Sequence, residues 1–543
     1  MKKLFAVLTS VVMTLSLVGC GASQSSVNTL NFASELDIIS LDSTMANDSL
    51  SFTAIHAFTD GLMITNKEGE VVEAIASSYE ESDDHLTYTF HLRDAKWSNG
   101  DSVTANDFVF AWRRAIQKSG NYAYMFGTDG ANIKNADALM AKQQEGKDLT
   151  DEDMKTLGVE AKDDKTLVVT LETPCSYFLS LMTFPCFYPV NENFVKEKGD
   201  KYGTSVDTVL SNGAYVLKSW DLGSKATFVK NEQYYDADKV KLEELNLLLV
   251  QDPKTAALNF DSGANDYAPI NSELVDKYKN TSNYHQFSDG FLYYLQLNFE
   301  NKDLANLNIR KALSYAINRQ DFTDNVLKDG SKPATGFVPS ELSKGPDGKD
   351  FREASGTYTD YNVEQAQKYL DQGLKELGKD SIQLRLLYGT DESPKDTLAE
   401  YLQNTFSKLK GLSIEMVATT KQDRIYNRQK NGDFDISVTA WAPDYADPTT
   451  YLNLLLENNS NNYGHYVSKE FNDLMNKAKK SVGDEQQRWN YLLQAEKVAM
   501  EDYAYIPVFE KGTAVLIADK VSGLYHQSVG VPETFHYVEI KSE

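Results

Sequence analysis

A chain of 543 residues is too long for one ordinary domain, so we expect several lobes with a substantial core. Its residues are 41% hydrophobic and 24% charged, a composition typical of folded globular proteins and unlike that of disordered or fibrous chains. The formal net charge of −25 would repel phosphate backbones, which excludes nucleic acid from the expected partners and disfavours electrostatic attraction to an anionic membrane.

The N-terminus predicts export and a lipid anchor. Two lysines precede an apolar run from Leu4 to Val18, which is too short to span a bilayer comfortably and is typical of an export signal. The run is followed by Cys20 in "LVGC", which resembles the bacterial lipobox and implies cleavage before a lipidated cysteine. Two acyl chains suffice for stable anchoring. We therefore predict a signal peptide at residues 1–19, a lipidated cysteine with a polar tether at residues 20–28, and residence on the outer face of the cell membrane.

The other two cysteines, Cys175 and Cys186, lie among apolar and aromatic residues in "TPCSYFLSLMTFPCFYPV". An exported protein could join them in a disulfide, but a small buried thiol also suits apolar surroundings. We favour two buried thiols, and the sequence gives neither cysteine a reason to be a nucleophile.

The first elements after the tether are strands followed by a capped helix. "TLNFASELDIISLD" begins with a strand-like run, and apolar residues alternate in "LTYTFHL", which predicts a second strand. After the turn "SNGD", the stretch "TANDF" predicts a helix with Thr104 as its N-cap.

The later part of the chain predicts an α/β arrangement. "SIQLRLLYG", an amphipathic run from Lys395 to Lys410, and "LSIEMVA" form a β-α-β pattern, and "FDISVTAW" predicts a further strand. "EQQRWNYLLQAEKVAMED" then predicts a long helix, which is followed by the strand "YIPVF".

The sequence contains no recognisable motif of an enzyme or a metal centre. Its seven histidines lack HExxH or any other close metal-ligand spacing. It also lacks a G-x-S-x-G elbow, a Walker loop and a G-x-G-x-x-G stretch after a strand. With 79 acidic residues, some carboxylate pair could always be chosen as a glycosidase dyad, so that choice carries no information. We predict no catalytic activity, no cofactor and no metal.

The chain resembles one family, the oligopeptide-binding proteins among the extracytoplasmic solute-binding proteins of peptide-type ABC transporters. The resemblance covers the whole mature chain and is most specific in "AKWSNGDSVTANDFVFAWRRA", "NGAYVLKSW", "NIRKALSYAINR" and "GDFDISVTAWAPDYADPTTYL". It implies a two-lobed α/β fold of the periplasmic-binding-protein type, with hinge segments and an extra domain packed on the first lobe. The implied bounds are residues 29–50, 207–287 and 512–543 for lobe one, 51–206 for the extra domain, and 290–511 for lobe two.

The function implied by this resemblance is capture of extracellular oligopeptides between the lobes. The protein would be a membrane-anchored lipoprotein and a monomer, and it would deliver peptides to the permease subunits of an ABC transporter for uptake. A peptide-pheromone receptor on the same fold remains an alternative, and so does a binder of nickel, haem or a sugar. The scattered histidines and the retained Asp444 weigh against those non-peptide ligands.

The implied ligand contacts centre on Asp444 in "AWAPDYADPTTYL". An isolated buried carboxylate is costly unless a cation or hydrogen-bond donors face it, and the α-ammonium of a peptide is such a cation. In the family, the aspartate of a W-x-x-D-Y pattern pairs with the ligand's N-terminus, and Trp441, Asp444 and Tyr445 match that pattern. The alternative is a structural salt bridge between Asp444 and an arginine. Asp447 and Pro448 are interpreted as a turn and helix start.

The sequence leaves the role of two further sets of side chains undecided. Tyr122 in "GNYAYMF" matches a tyrosine that in relatives reaches from the extra domain towards the ligand's N-terminus. Ordinary packing is an equal alternative for Tyr122, and Tyr124 is the neighbour that could take its place.

Arg424, Arg428 and Lys430 precede "GDFD", where some relatives place a basic residue for the ligand. A solvated helix face is the favoured interpretation of these three, which leaves the anchor for the ligand's C-terminus open.

The remaining ligand contacts are expected from the backbone. An extended peptide offers N–H and C=O groups at a fixed period whatever its sequence, so strand-like pairing gives affinity without selecting side chains. By family position, the two pairing edges comprise Ser34, Glu35 and Leu36, and Thr439, Ala440 and Ala442.

Overall fold

The computed structural model describes residues 28–541, so the predicted signal peptide and Cys20 lie outside the described residues. The strands, β1 to β21 in chain order, are Thr29–Ser34, Met63–Thr65, Val71–Glu73, Ala76–Glu81, Thr87–Leu92, Val159–Asp163, Thr166–Thr170, Tyr215–Asp221, Lys225–Lys230, Glu244–Leu249, Tyr267–Ile270, Tyr284–Leu297, Lys332–Pro333, Ile382–Gly389, Leu412–Thr419, Ile436–Trp441, Tyr505–Ile517, Val521–Ser522, Tyr525–His526, Glu533–Thr534 and Glu539–Ile540.

The α-helices, α1 to α16 in chain order, are Ser49–Phe58, Ala105–Gln117, Ala136–Gln144, Asp151–Lys155, Phe178–Leu181, Glu192–Lys198, Pro253–Asp261, Ser272–Tyr278, Leu307–Ala316, Arg319–Asp321, Phe351–Ser355, Val363–Leu377, Lys395–Phe406, Thr449–Leu452, Lys469–Lys480 and Glu485–Glu501. Short 3₁₀ turns occupy Ala123–Phe126, Pro185–Phe187, Gly199–Lys201, Val206–Thr208, Ala237–Lys239 and Asn453–Leu455. Two π-helical segments cover Phe322–Leu327 and Asp423–Gln429.

Several locally predicted elements are confirmed. Helix α2 begins at Ala105 with Thr104 as its N-cap, and the Thr104 amide donates to the Asp107 carboxylate at 2.9 Å. Strand β14, helix α13 and strand β15 form the predicted β-α-β unit, in which the two strands are parallel. The long helix α16 leads into β17, as the sequence predicts.

One sheet runs through both lobes. Its order is β15-β14-β16-β12-β17-β11-β1-β10-β9-β8, and β13 pairs with β17 beside this path. The pairs β14–β15, β14–β16, β1–β10 and β1–β11 are parallel, as is usual where longer connections join strands. The two longest partners, β12 and β17, are antiparallel, and each extends from one lobe into the other. Residues 51–206 add a separate four-stranded sheet in the order β4-β5-β7-β6.

The lobes meet at a break in the pairing of β12 with β17. The register shifts between Ser288 and Leu292, so the residues between them leave the ladder. Gly290 has a φ of +74°, and a Cβ atom there would lie 2.1 Å from the carbonyl oxygen of Ser528. Glycine is therefore required at this crossing. The break falls next to the predicted lobe limits at residues 287 and 290, while the domain bounds themselves stay predictions.

Buried side chains are divided between the lobes. One cluster of buried residues, whose first and last members in sequence are Leu30 and Val538, includes side chains of both the extra domain and lobe one. These two parts therefore share a core. In lobe two, successive residues of β12 point to opposite faces of the sheet. Leu295 contributes to a core covered by α9, α12 and α13, whereas Tyr294 contributes to a core that includes Trp489 of α16.

The two described cysteines, Cys175 and Cys186, are free and buried, which confirms two thiols rather than a disulfide. Burial raises the pKa of the Cys175 thiol to about 12, so it stays protonated at neutral pH. Within residues 28–541, no helix combines the length and apolar character that a membrane crossing needs. The same residues contain no cluster of three or more histidine, cysteine, aspartate or glutamate side chains suited to a metal ion.

Candidate ligand-binding site

The candidate site begins with the loop that follows β16 and precedes α14. The Asp444 amide donates to the Thr450 hydroxyl at 3.0 Å, which folds the loop back on its own helix. The Tyr451 hydroxyl donates to the Gly290 carbonyl at 2.5 Å. The loop is therefore fastened to the crossing between the lobes.

The Asp444 carboxylate is half-buried and has a hydroxyl partner but no cation. The Tyr124 hydroxyl donates to Asp444 Oδ1 at 3.0 Å. Within the described chain, no lysine, arginine or histidine nitrogen lies within 4.0 Å of this carboxylate. Burial raises the pKa of Asp444 to about 6, the Tyr124 hydrogen bond acts in the opposite direction, and the charge of Asp129 adds to the rise. The alternative of a structural salt bridge is therefore not found at Asp444.

An arginine instead pairs with Asp447, three residues further on. Arg488 of α16 donates to Asp447 Oδ1 at 2.8 Å, and both side chains are buried. Asp447 also accepts the Thr449 amide at 3.0 Å, and Pro448 directly precedes α14. These contacts confirm the interpretation of Asp447 and Pro448 as a turn and helix start.

Aromatic side chains connect this loop to the extra domain. The Tyr445 ring stacks on Tyr177 with centroids 3.9 Å apart and planes 2° from parallel. Tyr122 packs edge-on against Phe52 at 5.3 Å, while it is Tyr124 that reaches Asp444. Sequence reasoning missed Tyr177, because nothing in "PCSYF" separates it from an ordinary core aromatic.

The two predicted pairing edges line neighbouring cavities. Ser34, Glu35 and Leu36 line a cavity of about 590 Å³ between the lobes, with part of its opposite wall formed by lobe-two residues 393, 394 and 397. Thr439, Ala440 and Trp441 line a cavity of about 420 Å³ within lobe two. Ser393 lines both, so the two cavities adjoin.

Asp444 and Tyr445 line a third, smaller cavity of about 100 Å³, with Thr65 and Phe184 of the extra domain on its other side. Tyr122 and Ala442 line none of these three cavities. The structure therefore distributes the predicted site residues over three cavities and does not gather them around a single one.

Comparison with known proteins gives a consistent result. The family model of the bacterial extracellular solute-binding proteins, family 5 Middle, matches residues 70–463, which is more than half of the chain. A dipeptide-binding protein of Lactococcus lactis subsp. cremoris is 32% identical over 96% of each chain. This chain belongs to the bacterial extracellular solute-binding proteins of family 5.

Solved structures support the architecture of this solute-binding protein. Listeria monocytogenes OppA bound to peptide matches with a TM-score of 0.73 and 35% identity, over 96% of this chain and 100% of that one. The pheromone receptor PrgZ matches with a TM-score of 0.74 and 30% identity, over 95% and 100% of the two chains. These matches confirm the predicted two-lobed α/β fold and the resemblance to peptide-type solute-binding proteins.

The prediction of a solvated helix face is wrong for Arg424. This side chain of the solute-binding protein is 1% exposed and donates to Glu392 Oε2 at 2.7 Å, and to Gln429 and Thr439 at 2.6 and 3.2 Å. The sequence around Arg424 gave no signal because Glu392 lies 32 residues upstream. Arg428 fits the prediction, since it is a third exposed and pairs with surface aspartates.

Proposed function

We propose that this solute-binding protein captures extended extracellular peptides between its lobes and delivers them to the permease subunits of an ABC transporter for uptake. The proposal depends on the Asp444 carboxylate, which is half-buried and unmatched by any cation among the described residues. A peptide's α-ammonium supplies the missing positive charge. It also supplies donors to the carboxylate oxygens that the Tyr124 hydroxyl leaves free.

The backbone of the peptide would pair with the two edges that face the cavities. One edge is the end of β1 at Ser34 with Glu35 and Leu36, and the other is the end of β16 at Thr439 with Ala440 and Ala442. Main-chain hydrogen bonds of this kind bind peptides of many sequences. Trp441 and Tyr445 would then shape the site around the N-terminal residue, with Tyr124 in the contact first assigned to Tyr122.

Closure of the lobes would enclose the peptide. The lobes are joined where β12 and β17 lose their pairing, and Gly290 at this break has a φ that favours glycine. Hinge motion concentrates in a few such connecting residues while the lobes stay rigid. Binding is proposed without any covalent change to the peptide, in keeping with relatives that are solute-binding proteins.

We also propose that the mature protein is a monomer held on the outer face of the membrane by lipid on Cys20. The support is the "LVGC" motif after a short apolar run. Cys20→Ala should move the protein from the membrane fraction to the soluble fraction, and unchanged tight membrane association would contradict the anchor.

A thermodynamic cycle tests the role of Asp444. Wild type and Asp444→Asn are each titrated calorimetrically with tetra-alanine and with N-acetyl-tetra-alanine. Removing one partner of a buried charge pair costs on the order of 2 to 5 kcal/mol, so Asp444→Asn should weaken binding of the free peptide by roughly 30-fold to several thousand-fold. Acetylation should weaken binding to wild type similarly and to the variant hardly at all.

The matched control is Asp200→Asn, which removes a fully exposed acid outside the candidate site. It should leave peptide affinity within about threefold, because exposed charges contribute little. Additive losses in the cycle would mean that Asp444 serves the fold, and no binding of any peptide to wild type would overturn the proposed function.

Pheromone sensing is a second candidate, favoured by the 30% identity to the pheromone receptor PrgZ. Native mass spectrometry of protein purified from its own cells distinguishes peptide uptake from pheromone sensing. A mixture of peptides of different sequence supports uptake, whereas one dominant peptide species supports sensing.

A further inference from the structure

An ionisable cluster lies at the break in the pairing of β12 with β17, where the lobes are joined. Asp289 is one of the residues that leave the ladder between Ser288 and Leu292. His526 of β19 faces Asp289, with Nε2 3.7 Å from Asp289 Oδ1. Strand β20 pairs with β19 and places Glu533 on the other side of the imidazole, with Oε1 3.3 Å from His526 Nδ1. One histidine therefore lies between an acid of the crossing strand and an acid of the C-terminal hairpin formed by β19 and β20.

The His526 side chain is buried at this position. It is 9% exposed, and the Phe287 ring stacks on it with centroids 4.7 Å apart. Neither ring nitrogen makes a hydrogen bond of good geometry to any residue in the range 28–541. A neutral imidazole would therefore leave a buried donor and a buried acceptor unpaired, at a cost. A protonated imidazole instead gains the attraction of two carboxylates in a site that water screens weakly.

Both carboxylates are held in place by hydroxyl groups. The Thr53 hydroxyl of α1 donates to Glu533 Oε2 at 3.1 Å. The Thr513 hydroxyl of β17 donates to Asp289 Oδ2 at 2.7 Å. Each acid therefore keeps its other oxygen for the histidine.

The other ionisable groups that act on the cluster come from β11, β12 and β17. The Lys511 charge acts on Asp289, although Lys511 Nζ lies 2.6 Å from Asp329 Oδ2. Burial raises the pKa of Tyr267 well above its ordinary value and that of Tyr293 to about 12, so both hydroxyls are neutral at physiological pH. Among the described residues, the two acids are therefore the charged groups that face the imidazole.

The surroundings raise the pKa of His526 above its ordinary value of 6.5. Burial alone would lower this pKa, but the contact with Glu533, its charge and the charge of Asp289 outweigh burial. Burial raises the pKa of Asp289, whereas the Thr513 hydrogen bond and the charges of Lys511 and His526 lower it. The imidazole therefore keeps its proton to a higher pH than an ordinary histidine does.

The described arrangement of the lobes is a closed one. The Tyr124 hydroxyl of the extra domain donates to Asp444 of lobe two at 3.0 Å, and Tyr177 stacks on Tyr445 across the same boundary. The distance between His526 and Asp289 therefore belongs to the arrangement in which lobe two meets the extra domain.

The C-terminal hairpin lies against the crossing between the lobes. The Ser528 hydroxyl, in the loop of this hairpin, donates to the Glu341 carbonyl at 3.1 Å, and the Ser528 carbonyl leaves no room for a Cβ atom at Gly290. Hinge rotation concentrates in a few connecting residues, so opening of the lobes would move Asp289 relative to His526 and weaken their attraction. A proton on His526 and closure of the lobes then favour each other.

We propose that His526 is a positioning residue that, when protonated, binds the hinge at Asp289 to the C-terminal hairpin and so favours the closed arrangement of the lobes. The inference rests on the proposed function, because closure is what encloses the peptide. Its site is separate from the peptide contacts, since neither His526 nor Asp289 lines the three cavities described above.

The sign of the pH effect follows from the direction of the shift. Well below pH 6.5, His526 is protonated whether the lobes are open or closed, so the closed arrangement has its full support. As the pH rises through the raised pKa of His526, the proton is lost and the closed arrangement loses that support. Peptide affinity should therefore fall with rising pH.

The first measurement is the pKa of His526, followed by NMR in protein with carbon-labelled histidine rings. The proteins are wild type, Asp289→Asn and His526→Gln, whose missing signal assigns the resonance. In wild type the pKa should lie above 6.5 and should rise by a further ~0.5 to 1 with saturating tetra-alanine, since closure completes the ion pair. Asp289→Asn should lower the pKa in the ligand-free protein and remove most of the rise. A pKa at or below 6.5, or no rise with peptide, would overturn the inference.

The second measurement is the calorimetric affinity for tetra-alanine between pH 6.5 and 8.5. The α-ammonium of the peptide has an ordinary pKa of about 8, so every protein should bind more weakly at the upper end. Wild type should lose about threefold to tenfold more affinity than His526→Gln over this range, which matches the expected change in pKa. The control His465→Asn removes an exposed histidine with a φ of +55°, which asparagine tolerates, and should follow wild type.

Equal pH dependence in wild type and His526→Gln would contradict the inference. The proposed function is judged separately, by binding of tetra-alanine at pH 6.5 and its loss on N-acetylation, which need no titration of His526. If His526→Gln fails to fold, the titration of wild type and Asp289→Asn decides the matter, with the His526 resonance assigned by its shift in Asp289→Asn.

Discussion

Asp444 and Asp447 lie on the same short loop but face different partners. Asp447 is buried with Arg488 at 2.8 Å and accepts the Thr449 amide, so both its charge and its oxygens are matched. Asp444 has the Tyr124 hydroxyl at 3.0 Å and no cation among the described residues. The difference shows that the charge of Asp447 is matched within the fold, whereas the charge of Asp444 has no cationic partner among the described residues.

The two acids also differ in what they cost the ligand-free protein. A buried carboxylate that is paired with a cation approximately recovers the free energy lost on desolvation, whereas an unpaired carboxylate does not. The raised pKa of Asp444, at about 6, expresses that uncompensated cost. Substitutions at the two positions should therefore change stability in opposite directions.

The largest expected effect follows from breaking the Asp447 pair. Arg488→Ala leaves a buried carboxylate without its cation and should lower the free energy of unfolding by about 3 to 5 kcal/mol. Urea unfolding followed by circular dichroism measures this loss. Lys469→Ala, which removes an 88% exposed lysine paired with Asp473, is the control and should cost less than about 0.5 kcal/mol. Equal losses would contradict a structural role for the Asp447 pair.

Local sequence predicted the turn at Asp447 better than it predicted the side-chain partners of Asp444 and Asp447. The turn and helix start at Asp447 and Pro448 depend on neighbouring residues, and so could be recognised from the sequence. The cation on Asp447 comes from α16, 41 residues further along, and the hydroxyl on Asp444 comes from 320 residues upstream. Partners brought together by tertiary packing leave no trace in local spacing.

The same reason explains what could be predicted elsewhere. Strand and helix positions follow from periodicity and capping, as at Thr104, because they are set within one element. Burial of Arg424 could not be predicted, because a hydrophilic helix with a buried ion pair has the composition of a solvated one. The two-lobed fold was predicted from the family resemblance alone. The local sequence of a long strand that crosses between the lobes, such as β12, does not differ from that of any other apolar strand.

The second largest effect is a gain in stability at the unpaired acid. Asp444→Asn should raise the free energy of unfolding by about 1 to 3 kcal/mol at pH 7.5. The reason is that a pKa raised from 3.8 to about 6 corresponds to about 3 kcal/mol at most when the carboxylate is ionised. Urea unfolding of the ligand-free protein at several pH values measures it.

The sign of this pH dependence follows from the direction of the shift. Well below pH 3.8, Asp444 is protonated in both the folded and the unfolded chain, so the variant should gain little. As the pH rises towards 6, the unfolded chain loses the proton first, and wild type loses stability relative to Asp444→Asn. A gain that is constant with pH, or a loss at pH 7.5, would mean that the Asp444 charge is matched in the folded protein.

A smaller effect distinguishes the two tyrosines beside Asp444. Tyr124→Phe removes the hydroxyl that donates to the carboxylate, so the pKa of Asp444 should rise further and peptide affinity should fall by about threefold to tenfold. Carbon-detected NMR titration of the aspartates measures the pKa. Tyr122→Phe is the matched control and should change neither quantity. Equal changes in the two variants would contradict the assignment of Tyr124 as the contact.

The smallest expected effect comes from the second acid near Arg488. Glu485 Oε2 lies 3.9 Å from Arg488 Nη1, but the Glu485 side chain is 54% exposed, so water and salt screen the pair. Glu485 is also the first residue of α16, where a negative charge favours the helix N-terminus. Burial raises the pKa of Glu485 whereas the charge of Arg488 lowers it, so Glu485→Gln should change the free energy of unfolding by no more than about 1 kcal/mol. Sodium chloride at 0.5 M should remove most of the part that comes from the Arg488 charge. Asp447→Asn, measured in the same way, should keep most of its larger loss in salt, because its partner is buried. If the Glu485 variant lost as much as the Asp447 variant, Arg488 would be shared equally between the two acids, and burial would not decide which acid belongs to the fold.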